Sequence, residues 1–306
     1  MSTKIKVGMV AENMNMSDHY VALDSGYYAD EGLDVELVGH FWGSLAPLDS
    51  GEMLISSNTP KILEAMLLDG EPYKFVLITR REAPHYIISR PEVKTAADLK
   101  GKTVWGAGEG AVNYYMTLEW LRENGLEPHK DVRLISFSER DERFFEGPTP
   151  AWANTSARYS ADAIMTGPPE SLWLTETAGY HLLADLCELY PDKMIHGLAA
   201  HEDVLARQPD LIRKVVRAHV RAAKTIQEDC LTTTSVWRKR WGLNQAVADR
   251  LWELYRWRFI AEADPKWLGP CMDYTRRHLE RRYPDREIRS PDPATRLDAS
   301  FLPVAA

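Results

Sequence analysis

Two adjacent arginines, Arg80 and Arg81, close an apolar run in the first third of the chain. A guanidinium presents a rigid fork of donors that fits a carboxylate with two parallel hydrogen bonds. Upstream stand two histidines, His19 and His40, whose imidazoles could give or take a proton near neutral pH. Short polar side chains accompany them. Asn13 and Asn15 offer both donors and acceptors, and Ser57, Asn58 and Thr59 lie directly before Pro60. Each of those three serves equally well as the cap of a helix beginning at Pro60 or as a contact to an anion at that helix's N-terminus. Phe41 and Trp42 could wall a planar ligand or fill a core.

A second group follows further along. The stretch GAGEGAV (Gly106–Val112) separates a β-rich run from a helical one, and Asn113 lies just inside the helix. Glycines let a backbone approach a ligand closely, which makes Gly110 and Ala111 candidates. Gly106, Gly108 and Ala111 also meet the loose dinucleotide pattern G-x-G-x-x-A, but the unit stands in mid-chain and the pattern alone is weak. Glu109 would repel an anion, so it either caps the helix or selects a ligand that carries a donor. Thr166, Gly167 and Glu170 flank Pro168–Pro169, either as ligand contacts or as a rigid start to a helix.

The elements that must position these groups follow from periodicity. Strands are expected at Ile5–Val10, Leu33–Val38, Met53–Ser56 and Tyr73–Thr79, with helices at His19–Tyr28 and Pro60–Leu68. This is βαβ patterning, which implies a mostly parallel sheet. A second α/β unit has strands at Tyr86–Ser89, Thr103–Trp105, Val132–Ser136 and Ala161–Thr166. Its helices are Val112–Glu123 and Pro168–Thr177, with a helical turn at Thr95–Leu99 whose Thr95 and Asp98 make a capping pair. Glu146–Tyr159 reads as a loop. Three helices end the pattern: Pro209–Asp229, with Leu211, Val215, Ala218, Ala222 and Ile226 on one face, then Asn244–Phe259, then Met272–Arg282. From Pro284 the chain is polar and proline-rich and reads as an extended tail. His219 falls on the apolar face of its helix as a core histidine, and Trp237–Trp257 reads as core.

Composition bounds the function. The chain has 306 residues, 44% of them hydrophobic and 27% charged, and a formal net charge of -8. That acidity argues against non-specific nucleic-acid binding. The start, MSTKIKVGMVAEN, lacks the apolar core of a signal peptide, and no window approaches the ~20 apolar residues of a membrane span. A cytoplasmic protein is expected, or a periplasmic one if a leader precedes this sequence. Cys187, Cys230 and Cys271 are widely spaced, and neither CxxC nor HxxxH occurs, so no metal and no cofactor are expected. Ten tryptophans leave room for an aromatic interface in a homodimer.

Four segments in order carry a resemblance. GYYADEGLDVELV, SSNTPKILEAMLLDGEPYKFV, KTAADLKGKTVWGAGEGAVNYYMTLEWLRENGLEPHKDVRLI and DAIMTGPPESLWLTETAGYHLLADL resemble blocks of the solute-binding family that includes sulfonate-binding proteins and thiamine-pyrimidine synthases. The resemblance implies an α/β, two-lobed type II periplasmic-binding fold with a ligand cleft between lobes. Residues 1–81 plus 190–306 would form one lobe and 82–189 the other. It also implies a small polar or anionic, possibly aromatic ligand, and a transporter permease as partner if a leader has been removed.

The same resemblance extends to cytosolic enzymes on this fold, aromatic-acid decarboxylases and an aryl-sulfinate desulfinase. For such a reaction His19 or His40 would be the acid, with Arg80 or Arg81 holding the leaving anion. The desulfinase's cysteine has no counterpart before Arg81. A thiamine-pyrimidine synthase would sacrifice a histidine and carry a cysteine-rich run, and Ile55–Gly70 contains neither.

Overall fold

Short apolar strands alternating with helices produce two separate sheets. The computed structural model describes residues 2–10, 14–39, 43–82, 84–106, 108, 111–135 and 161–303. The first run comprises β1 (Thr3–Met9), α1 (Ser17–Asp24), α2 (Tyr27–Asp30), β2 (Leu33–Gly39), α3 (Ala46–Ser50), β3 (Met53–Ser56), α4 (Thr59–Leu68) and β4 (Tyr73–Arg81). The second comprises β5 (Tyr86–Ser89), β6 (Thr103–Trp105), α5 (Val112–Glu123), β7 (Arg133–Ile135), β8 (Ala163–Thr166), α6 (Glu170–Thr177), β9 (His181–Asp185) and α7 (Leu186–Leu189). The last comprises β10 (Ile195–His201), α8 (Glu202–Arg207), α9 (Pro209–Glu228), α10 (Cys230–Trp241), α11 (Gln245–Tyr255), β11 (Phe259–Glu262) and α12 (Pro265–Arg282). By contacts the chain divides into unit 1, Met1–Ala83 with Ile195–Ala306, and unit 2, Pro84–Met194.

In unit 1 the strand order is β11-β4-β10-β3-β1-β2. β1 pairs in parallel with β2 and β3, as βαβ crossovers require. β10 and β11 are antiparallel, so the sheet is mixed rather than mostly parallel. β10 arrives from unit 2 without a crossover helix to fix its direction, and it fills the gap between β3 and β4. α9 packs on α1, α2, α10, β4 and β11, and its Ile212, Val215, Val216, His219, Ala222 and Ile226 are buried. Each isoleucine and valine among them contributes roughly 1.5–3 kcal/mol by leaving water.

The expected helix His19–Tyr28 is two helices. Gly26, at φ 78°, takes the left-handed backbone conformation that ends α1 and begins α2, and Gly32, at φ 73°, turns the chain into β2. α12 begins at Pro265 rather than Met272, because Asp264 accepts from Lys266 N at 2.9 Å and Pro265 fits the first turn. The expected tail is docked: Arg289 N donates to Leu67 O and Asp298 N to Phe75 O, both at 2.8 Å, and Phe301 is buried.

In unit 2 the order is β7-β6-β8-β5-β9, with β6 parallel to β7 and β8 and β5 antiparallel to β8 and β9. Ile88, Trp105, Ala161, Ile164 and Leu174 form a core cluster. The Thr95–Asp98 capping box is present. The loop expected at Glu146–Tyr159 lies outside the described residues. Among the described residues, no helix is long and apolar enough to cross a membrane.

Candidate functional site

In unit 1, β1 is parallel to β3, and β10 is antiparallel to both β3 and β4, so β1, β3 and β4 share one direction. Their carboxyl ends therefore meet at one edge of the sheet, where open α/β sheets hold ligands. A single 3-10 turn, Met14–Met16, follows β1 there and presents Asn15, which is buried.

Arg80 sits inside β4, not beyond it, in register with His196 of β10 and Phe259 of β11. It is 1% exposed, its Nη1 donates to Asn15 O at 2.7 Å, and its guanidinium lies 5.5 Å from the centroid of the Phe259 ring. This arginine thus holds the protein's own loop against the sheet. Arg81 lies between two indoles, 5.2 Å from the Trp267 ring and 5.7 Å from that of Trp257. Trp257 is 44% exposed, so the Trp237–Trp257 stretch is only partly core; Trp237 and Trp241 are buried.

At the end of β3, Ser57, Asn58 and Thr59 are all buried. No side chain caps α4: Asn58 occupies the cap position without making the bond, while its N–H donates to Ser56 Oγ at 3.0 Å. Thr59 Oγ1 accepts from Gly197 N at 3.2 Å, tying the start of α4 to β10. Ser57 Oγ lies 3.1 Å from His19 Nε2 and 3.4 Å from both Gly8 O and Met16 Sδ.

His19 opens a buried polar chain. Its Nδ1 is 3.3 Å from Asp18 Oδ1, a contact without hydrogen-bond alignment. Asp18 Oδ2 accepts from His219 Nδ1 at 2.9 Å, and His219 Nε2 lies 2.6 Å from Tyr28 OH. The two imidazoles meet edge to face, centroids 4.6 Å apart. Burial alone would push the Asp18 carboxyl up, yet its interactions with the His19 and His219 imidazoles hold it well below the usual carboxylate range. Burial pushes the His219 imidazole down, aided by His19 and opposed by Asp18. Burial, then the Asp18 charge, pushes the Tyr28 phenol well up.

In unit 2, Tyr86 of β5 lies in register with Thr166 at the end of β8. Thr166 Oγ1 donates to Glu170 Oε2, and both residues are buried. A Cβ on Gly167 would stand 2.7 Å from Pro84 O, so the glycine is required by close packing. Ala111 precedes α5 in an extended conformation, and its N–H donates to Gly108 O at 3.1 Å. Asn113 Nδ2 reaches Met165 Sδ at 3.8 Å, which joins the start of α5 to β8. Asn13, His40, Trp42, Glu109 and Gly110 lie outside the described residues.

Asp18 and Tyr28 escaped the sequence reading, and His219 entered it only as core. The one available signal was three polar side chains on otherwise apolar helix faces.

A profile of the family described as NMT1/THI5 like matches residues 13–230. "Putative binding protein YtlA" of Bacillus subtilis is 26% identical over 233 residues, covering 74% of this chain and 66% of that protein. "Riboflavin-binding protein RibY" of Chloroflexus aurantiacus is 26% identical over 218 residues, covering 68% and 58%. The chain thus spans under two thirds of the length of these curated relatives. Among solved structures, the alkanesulfonate-binding protein SsuA from Xanthomonas axonopodis pv. citri, bound to MOPS, superposes with a TM-score of 0.70 at 16% identity, covering 94% of this chain and 96% of that one. The fold is that of the periplasmic-binding proteins.

Proposed function

For this chain, which belongs to the NMT1/THI5-like family, we propose the binding of a small polar or anionic organic molecule through the polar loops at its strand ends. The observation that carries this reading is that Asn15, Ser57, Asn58 and Arg81 close or follow β1, β3 and β4, three strands of unit 1 that run in one direction. At the start of α4, Pro60 has no N–H and Thr59 N already donates to Ser57 O at 2.7 Å, so the helix end offers an anionic group the Lys61 N–H, with no side-chain cap competing for it. Arg81 between Trp257 and Trp267 adds a cation beside flat apolar faces, which suits an aromatic acid. In unit 2, Asn113 and Thr166 are the corresponding polar groups at strand and helix ends.

The relatives' names support this reading. One is called a putative binding protein and another a riboflavin-binding protein, and the solved neighbour binds alkanesulfonates. Delivery of the ligand to a transporter is the partner we propose on the same grounds. The catalytic alternative is weaker at His19, which is 0% exposed and already set against Ser57 and Asp18.

The test is thermal denaturation against a panel of aliphatic sulfonates, aromatic carboxylates and flavins, followed by chromatography of the added compound. A raised midpoint with the compound recovered unchanged supports binding. A raised midpoint with the compound converted assigns an enzyme instead. No shift across the panel at millimolar concentration contradicts the reading.

A further inference from the structure

The carboxylate of Asp18 and the imidazoles of His19 and His219 converge in the interior of unit 1, with donor atoms that all lie within 4.8 Å of one another. Asp18 is 1% exposed and both histidines are 0% exposed. The closest pairs are Asp18 Oδ1 to His19 Nδ1 at 3.3 Å and Asp18 Oδ2 to His219 Nδ1 at 2.9 Å. Donors bound tetrahedrally at the usual zinc distances stand ~3.3 Å apart, close to these two pairs, and no pair of donors here is further apart than 4.8 Å.

The outer nitrogens are already held. Ser57 Oγ is 3.1 Å from His19 Nε2, and Tyr28 OH is 2.6 Å from His219 Nε2. An ion would take the place of the proton that His219 Nδ1 now gives to Asp18; each Nε2 would then carry the ring proton, the Ser57 and Tyr28 oxygens would accept it, and both Nδ1 lone pairs would face the ion. This is the outer arrangement that fixes the tautomer of a metal-bound imidazole. His19 supplies a separate observation: its Nδ1 is wholly buried, has no hydrogen-bond partner and faces a carboxylate oxygen. A lone pair there would be repelled by the carboxylate, and a proton there would be poorly aimed at it. A cation between them removes both difficulties and neutralises a buried negative charge.

We propose that Asp18, His19 and His219 form a site for one divalent transition-metal ion of the zinc class, whose role is to fasten α1 to α9. Imidazole and carboxylate donors suit such ions. The local spacing of the sequence points to no metal, because His219 is separated from Asp18 by 201 positions. The proposal stands apart from the small-molecule reading and shares only Ser57 with it.

The test uses the full chain, unfolded in denaturant with chelator and refolded with cobalt(II), since the donors are fully buried. The expected result is one retained cobalt per chain after desalting, with visible absorption distinct from that of aqueous cobalt(II). X-ray absorption of the cobalt-loaded wild type should report two imidazole ligands. His219→Gln and His19→Gln should each lower cobalt affinity at least 100-fold, and Tyr28→Phe about 10-fold. A His129→Ala variant should bind as the wild type does. Should the histidine variants fail to fold, the wild-type ligand count alone decides. Failure of the refolded wild type to retain cobalt, or fewer than two imidazoles around the ion, overturns the proposal and leaves a hydrogen-bonded polar chain.

Discussion

His219 Nδ1 donates to Asp18 Oδ2 at 2.9 Å, in a setting where Asp18 is 1% and His219 0% exposed. This bond joins α1, at the start of unit 1, to α9, which reaches it only after unit 2 is complete. The discontinuous unit is thus held at its centre by polar groups as well as by the apolar face of α9. Tyr28 of α2 extends the same chain through His219.

Removing the last member of that chain should cost stability. Tyr28→Phe deletes the hydroxyl 2.6 Å from His219 Nε2 and leaves a buried nitrogen unsatisfied. The expected loss is about 1–3 kcal/mol, read from urea unfolding. A variant as stable as the wild type would mean that the bond is not made.

The two adjacent arginines should separate by role. Arg80→Ala empties a buried site and frees the Asn15 carbonyl, so its expected cost is about 2–4 kcal/mol. Arg81→Ala loses contacts to two indoles, for about 0.5–2 kcal/mol. For an anionic ligand, replacing both should weaken affinity 10-fold or more. Equal destabilisation by the two single variants would contradict the division, and unaltered affinity in the double variant would remove Arg81 from the proposed site.

Much of this organisation was legible from periodicity. β3, β5, β6 and α5 lie where alternation and helical spacing put them, because their apolar residues face a core that local pattern already implies. β10 was missed because IHGLAAH is neither alternating nor β-branched throughout; it is a strand through its pairing with β4. α10 was missed because Thr232, Thr233, Thr234 and Ser235 are poor helix formers, and the Asp229 cap and the packing against α9 and α11 outweigh that. At the site, Ser57 and Arg80 were visible as residue types at strand ends. The partnership of Asp18 with His219 was not, since nothing local relates positions so far apart in sequence.

A glycine in unit 2 provides a packing test. Gly167→Ala places a methyl 2.7 Å from the Pro84 carbonyl oxygen, a backbone atom that cannot swing aside. The expected cost is about 1–3 kcal/mol in unfolding free energy. A neutral substitution would show that the two segments are not in such close contact.

Acid should dissolve one tie between helices. Arg240 donates to Asp24 through Nε at 2.7 Å and Nη2 at 2.6 Å, joining α10 to the end of α1. Burial alone would raise the Asp24 carboxyl, but Arg240, helped by Lys239, holds it below its ordinary value of 3.8. A carboxyl depressed in the folded state contributes stability that is complete above the unfolded value and lost as pH falls through the folded one. Arg240→Ala should therefore cost about 1 kcal/mol at neutral pH, and the difference from wild type should shrink below about pH 4. A difference that stays constant down to pH 3 would contradict the pairing.

The most direct test of the binding account is calorimetric titration of the compound that most stabilises the wild type, repeated on Asn58→Ala and Arg81→Ala. Saturable binding of one molecule per chain is expected, with the compound recovered unchanged and its affinity lowered about 10-fold or more in each variant. Unchanged affinity in both variants, or a compound recovered chemically altered, would contradict the account.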